Sequence, residues 1–102
     1  MEIAAVEIIK AKEGKVKELR KALSELVPIC RKGEGCLQYD LYEPKKGSGE
    51  FMVLMRWKDP KDLAKHESSK VIEEFCRMYD GLLYDEVKQT EWYPVGLKNG
   101  DF

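Results

Sequence analysis

His66 is the single histidine of the chain, and an unperturbed imidazole, with a pKa of about 6.5, is well suited to exchange a proton near neutral pH. It stands in DPKDLAKHESSKVIEEF, three residues after Leu63, so on a helix the two share one side. Two readings are open to it. It is a base aimed into an apolar pocket, or a half-exposed residue near a helix C-terminus, where a positive charge suits the helix dipole. A second candidate is Glu7, a carboxylate inside the otherwise apolar stretch AAVEIIK. Such a group must pair, hydrogen-bond or stay protonated, because a lone buried charge is costly. Glu7 is either an edge or interface residue bonded to Lys, Arg or Tyr, or a group that orients His66 or a substrate hydroxyl. Cys30, Cys36 and Cys76 are odd in number, and their spacings match no zinc or redox pair. They read as free thiols, with a Cys30–Cys36 bridge across RKGEG left open. One histidine and scattered carboxylates supply no ligand spacing, so no metal is expected.

These side chains need elements to hold them. IAAVEIIK, residues 3 to 10, is a β-branched apolar run ended by KEG and reads as a strand. A helix follows over 15–31, with Val16, Leu19, Leu23, Leu26, Val27 and Cys30 on one face and Pro28 in its last turn. GEG at 33–35 breaks the pattern. CLQYDLYE, 36–43, alternates as a second strand, and PKKGSG is a hairpin loop leading to a third strand, FMVLMRW, 51–57. Asp59-Pro60 opens a short helix ending near His66, since Asp is a good N-cap and Pro fits the first helical position. Ser68 or Ser69 then caps a further helix over about 69–80, with Val71, Ile72, Phe75, Met78 and Tyr79 as its apolar stripe. A last strand lies within EVKQTEWYP, 86–93. The order is β-α-β-β-α-β with the second helical segment broken in two, an α+β, ferredoxin-like arrangement on a four-stranded antiparallel sheet.

A chain of 102 residues, 43% apolar and 36% charged, is expected to be one soluble domain over 1–102, with a C-terminal tail over 95–102. Its formal charge is −1, from 18 basic and 19 acidic residues interspersed along the chain, so nucleic acid is not an expected partner. Nothing resembles a leader or a membrane-spanning run, and cytoplasmic residence is the default expectation. The strand faces decide the assembly. Phe51, Val53, Met55 and Trp57 share one face of the third strand, with Met52 and Leu54 on the other; Ile3, Ala5 and Ile9 oppose Ala4, Val6 and Ile8 on the first. Helices cover only one face of such a sheet, so the second apolar face predicts a homodimer, sheet against sheet. The alternative is a monomer whose tail GLKNGDF folds over that face. Arg56, beside Trp57 and on the opposite face, would then form a salt bridge across the dimer.

The segments AVEIIKAKEGKVKELRKAL, EGCLQYDLYEP and FMVLMRWKDPKDLAKHESSKVIEEF, in this order, carry a resemblance over nearly the whole chain. With a strand ending in RW and a short helix bearing A-x-H-x-x-S, the chain resembles the antibiotic biosynthesis monooxygenase superfamily, and within it the quinol monooxygenases. The resemblance implies a dimeric α+β barrel. It also implies an oxygenase in which quinols, anthrones or related aromatics react with dioxygen without a cofactor. The protein would exclude water, orient a small aromatic or hydrophobic substrate and take a phenolic proton. The resemblance places a histidine at position 66; many relatives carry a second five residues later, where this chain has Val71. A haem-degrading branch uses an Asn, a Trp and a His at positions that correspond here to Glu7, His66 and Cys76, none of which matches. Haem degradation is therefore disfavoured, while the correspondence implies that these three positions face one cleft. His66 and Glu7 are thus the candidate catalytic pair, and Trp57, Tyr39, Phe75, Cys76, Tyr79 and Leu63 the candidate substrate contacts. Aromatic residues at strand and helix spacing more often pack a core. Two alternatives remain on this scaffold: a non-oxidative isomerase of a small phosphorylated hydroxy-dione, for which no Arg or Lys cluster stands out, and a ligand-binding or stress-response barrel without turnover.

Overall fold

A computed structural model describes residues 1–96. Four strands, β1 (Ile3–Lys10), β2 (Cys36–Tyr42), β3 (Glu50–Trp57) and β4 (Lys88–Trp92), alternate with three helices, α1 (Val16–Cys30), α2 (Pro60–Glu67) and α3 (Lys70–Tyr79). The sheet is antiparallel in the order β2-β3-β1-β4, the ferredoxin-like arrangement expected from the element order. No helix among the described residues is long and apolar enough to cross a membrane.

Local chemistry places the helix boundaries. Asp59 takes extended backbone angles and its side chain accepts from the Lys61 N–H at 2.9 Å, while Pro60 occupies the first turn, where a missing N–H costs nothing. Ser69 does the same for α3, accepting from the Ile72 N–H at 3.3 Å. At the far end of α1 the chain turns through Gly35, whose φ of 78° suits glycine alone. A Cβ there would collide with the Asp62 side chain, so this glycine lets α2 lie close against the start of β2.

Period-two alternation sorts the strands onto two faces. Ile3, Ala5, Ile9, Phe51, Val53, Met55 and Trp57 are buried under α1 together with Leu19, Leu23 and Leu26. Two stretches depart from the sequence reading. The α3 stripe is narrower than expected: Ile72 and Phe75 pack against the core, whereas Val71 and Met78 are exposed. After α3, a tight helical turn over Asp80–Leu82 and a bridge between Ala11 and Leu83 pin the chain to the end of β1, and β4 starts only at Lys88. Residues 80–87, whose ends the sequence reading assigns to the last helix and the last strand and whose middle it leaves unassigned, therefore form a wall.

The opposite sheet face carries Ala4, Val6, Ile8, Met52 and Leu54, flanked by Tyr42 and Trp92. Most are only partly buried, and Trp92 is 58% exposed. Within its own chain Arg56 donates to Gln38 Oε1 at 2.6 Å and to Glu2 Oε2 at 3.0 Å. The β-bulge at Cys36/Gln38 brings Gln38 directly opposite Arg56. The tail GLKNGDF, the alternative cover for this face, lies outside the described residues beyond Gly96.

Candidate active site

Glu7 shares the helix-covered face with Ile3, Ala5 and Ile9, at the point where α1 and α3 diverge and leave the sheet open. The opening is a cleft of about 610 Å³. Its floor and walls are largely apolar, from Ile9, Leu23, Leu26, Val53, Ile72 and Phe75. Tyr39, Cys76 and Tyr79 also line it, with the 80–87 segment closing one side. The i, i+3, i+4, i+7 spacing of Ile72, Phe75, Cys76 and Tyr79 aims all four from one face of α3, and the Phe75 and Tyr79 rings stack at 4.9 Å.

Burial, and secondarily the negative charge of Glu67, pushes the Glu7 carboxyl up to about 7. The second carboxylate is held nearby by register: Gln89, directly opposite Glu7 across the β1–β4 pair, donates to Glu67 Oε2 at 3.0 Å. No hydrogen bond from the described residues lowers the Glu7 carboxyl again. Tyr39 is 2% exposed, and burial raises its phenol far above the ordinary range, so it keeps its proton. Its neighbour Cys30 is pushed up to about 11, chiefly by burial. The Cys76 thiol is likewise raised, by burial first and then by Glu7. The three cysteines are free thiols, Cys30 and Cys36 unbridged, and none is a poised nucleophile, since the thiolate is the reactive form.

His66 lies elsewhere. It lines a separate pocket of about 130 Å³ with Trp57, Cys30, Ser69 and Val71. Its ring stacks on Trp57 at 4.7 Å and meets the edge of Tyr39 at 5.5 Å, and burial lowers its pKa, so it is neutral at pH 7. Contact with the large cleft runs through the Tyr39 ring. Glu7 and Cys76 thus converge in one cleft as expected, with Tyr39, Phe75 and Tyr79 around them, but His66 does not join them. Leu63 and Trp57 are sealed in the core at 2% and 1% exposure and line no part of the large cleft. Trp57 Nε1 is buried without a hydrogen-bond partner among the described residues. Val71, at the position of a second histidine in many relatives, lines the His66 pocket, so such a histidine would also lie apart from Glu7. The wall from Asp80 to Val87 and Lys12 were missed from sequence; the DG turn and the apolar–acidic run LLYDEV were the signals for it. No group of three His, Cys, Asp or Glu side chains that could hold a metal ion occurs among the described residues.

The model of the antibiotic biosynthesis monooxygenase family matches residues 3–78, from β1 through α3. The chain belongs to that family. A solved protein of Pseudomonas aeruginosa is similar, with 29% identity, 93% of this chain and 95% of that one covered, and a TM-score of 0.85. A protein of Mycobacterium tuberculosis is 24% identical over 96% of this chain and 99% of its own, with a TM-score of 0.86. A solved antibiotic biosynthesis monooxygenase is 19% identical, with coverage of 92% and 99% and a TM-score of 0.84. The last two likenesses establish the fold alone. A comparison with curated proteins finds no match. Membership of the antibiotic biosynthesis monooxygenase family supports a monooxygenase-like function.

Proposed function

We propose that the protein oxidises an electron-rich aromatic, a quinol or an anthrone, with dioxygen in the cleft above Glu7, the substrate itself supplying the electrons. One observation carries this reading: a carboxyl that ionises at about pH 7 lies in an apolar cleft of about 610 Å³. That size is typical of small-molecule sites, and a base poised near the working pH is what proton abstraction needs. His66, the expected base, sits outside this cleft, so the proton acceptor is Glu7; His66 is a positioning residue that backs Tyr39 and Trp57.

The steps balance for an anthrone. Glu7 takes a proton, leaving a carbanion-phenolate stabilised by the ring. The anion gives one electron to dioxygen, and the resulting radical and superoxide combine to form a carbon–oxygen bond. The peroxide then loses its O–O bond as the same carbon gives up its second hydrogen, and the proton held by Glu7 leaves with the hydroxide as water. One oxygen atom ends in the new carbonyl and the other in water. The Tyr39 ring, its phenol kept protonated by burial, forms part of the cleft wall, and the apolar walls exclude water while charge is uncompensated.

The same reading includes a homodimer through the outer sheet face, supported by its row of Val6, Ile8, Met52 and Leu54 with Tyr42 and Trp92 at the margins. An oxygen electrode, with a panel of quinols and anthrones run aerobically and anaerobically, tests the activity. Oxygen-dependent turnover that falls at least a hundredfold in Glu7→Gln, in line with removal of a general base, is expected. Full turnover in that variant would sink the assignment of the base. Conversion without oxygen consumption would remove the oxygenase reading itself.

A further inference from the structure

The 80–87 wall brings charge to the mouth of an otherwise apolar cleft. Asp80, Asp85 and Glu86 all line the cleft and are exposed, and among the described residues none forms an ion pair. Only Lys12 lines it with the opposite sign. Lys10 does not line the cleft, its ammonium lying 4.6 Å from the centroid of the Tyr84 ring, and Lys88 follows the last lining residue, Val87. Behind the rim stands Glu7, negative whenever it is ready to accept a proton. Among the side chains that line the rim, three carboxylates against one ammonium leave two negative charges, and an apolar cleft strengthens the effect of such a field on a ligand inside it.

We infer that the Asp80–Asp85–Glu86 rim makes this cleft selective by charge, admitting neutral or cationic phenols and rejecting those that carry a sulfonate, carboxylate or phosphate. The inference rests on the cleft being the substrate site and deepens that reading. The aromatic walls set size and planarity; the rim sets charge. A phosphorylated hydroxy-dione, the substrate type of the isomerase alternative, would meet the wrong sign at the entrance. At low salt, a net rim charge of two about 8 Å from an anionic substituent, in a water-like dielectric, weakens binding roughly fivefold. At about 0.5 M salt the screening length falls to a few ångströms and most of that factor disappears.

Three probes of matched shape test this by isothermal titration calorimetry on the full chain at pH 7, a readout independent of turnover: 2-naphthol, its 6-sulfonate, and an analogue with a trimethylammonium group at that position. The neutral and cationic naphthols should bind, with the sulfonate roughly fivefold weaker than 2-naphthol at low salt. Asp85→Asn with Glu86→Gln should bring the sulfonate to within about twofold of 2-naphthol, as should added salt on the unaltered protein. Asn retains the acceptor that holds the Glu86 N–H at 2.8 Å, so the loop geometry survives. Equal or tighter binding of the sulfonate, at low salt and in the unaltered protein, overturns charge selection and leaves the aromatic cleft standing. Binding of none of the three overturns both.

Discussion

Replacing Glu7 by Gln should make the protein more stable at alkaline pH while removing its activity, and the pH dependence of that gain is the sharper part of the prediction. In the unfolded chain the carboxyl ionises at its ordinary value of 4.5; in the folded protein it ionises at about 7. Between those values the folded state holds the proton more tightly, so stability falls as pH rises through the window. Below 4.5 both states are protonated and there is no penalty. Above 7 both are ionised, and the folded state carries the full cost of a desolvated charge, about 3 kcal/mol at 1.36 kcal/mol per pKa unit. At pH 5 most of that cost is still absent, and about 1 kcal/mol remains. Gln keeps the shape and cannot ionise. Urea denaturation of both proteins at pH 5 and pH 8 should therefore show an advantage for Glu7→Gln that grows by about 2 kcal/mol between the two. Glu67→Gln should recover a smaller share, because the charge of Glu67 is the secondary cause of the shift. In catalysis the same group works in the opposite sense: kcat/KM should rise with pH and level off above about 7, as the carboxylate forms. A stability difference that does not change with pH would refute the claim that Glu7 is desolvated in this cleft.

His66→Ala removes the rings' contacts with Trp57 and Tyr39, and a loss of about 1–2 kcal/mol in urea denaturation is expected, with only a modest loss of oxygen uptake; abolished turnover in a fully folded variant would return the base to this residue. The imidazole pKa is depressed by burial, so the unfolded state binds the proton first as pH falls below 6.5, and stability should drop there in the unaltered protein but not in His66→Phe. Leu54→Asp places a charge on the outer sheet face, away from the cleft, and should convert a sedimenting dimer to a monomer; a monomeric unaltered protein would remove the assembly from the proposal.

The order and type of the elements were written locally. The Asp59-Pro60 start of α2, the Ser69 cap of α3 and the two-residue alternation of β1 and β3 depend on neighbours within a few positions, and the structure places those elements within a residue or so of the sequence reading. The same alternation puts Glu7 on the face of Ile3, Ala5 and Ile9, while the helices alone decide that this is the covered face. The β-α-β-β-α-β order then left one apolar face covered by helices and another in need of cover.

What the tertiary structure alone decided is where that covered face stays open. α3 meets the core through Ile72 and Phe75 while the chain after it is pinned to Ala11, and the gap between them becomes the cleft above Glu7. Helical spacing could say that His66 and Leu63 share a side, but not that this side is packed against Trp57, away from Glu7. The acidic rim was equally hidden, because Asp80, Asp85 and Glu86 gain their meaning from lining one cleft with Lys12, which lies just past the end of β1. Sequence spacing fixes direction along one element. Burial, and with it the raised ionisation of Glu7 and the field at the cleft mouth, is a sum over neighbours from several elements, and it exists only once they have packed.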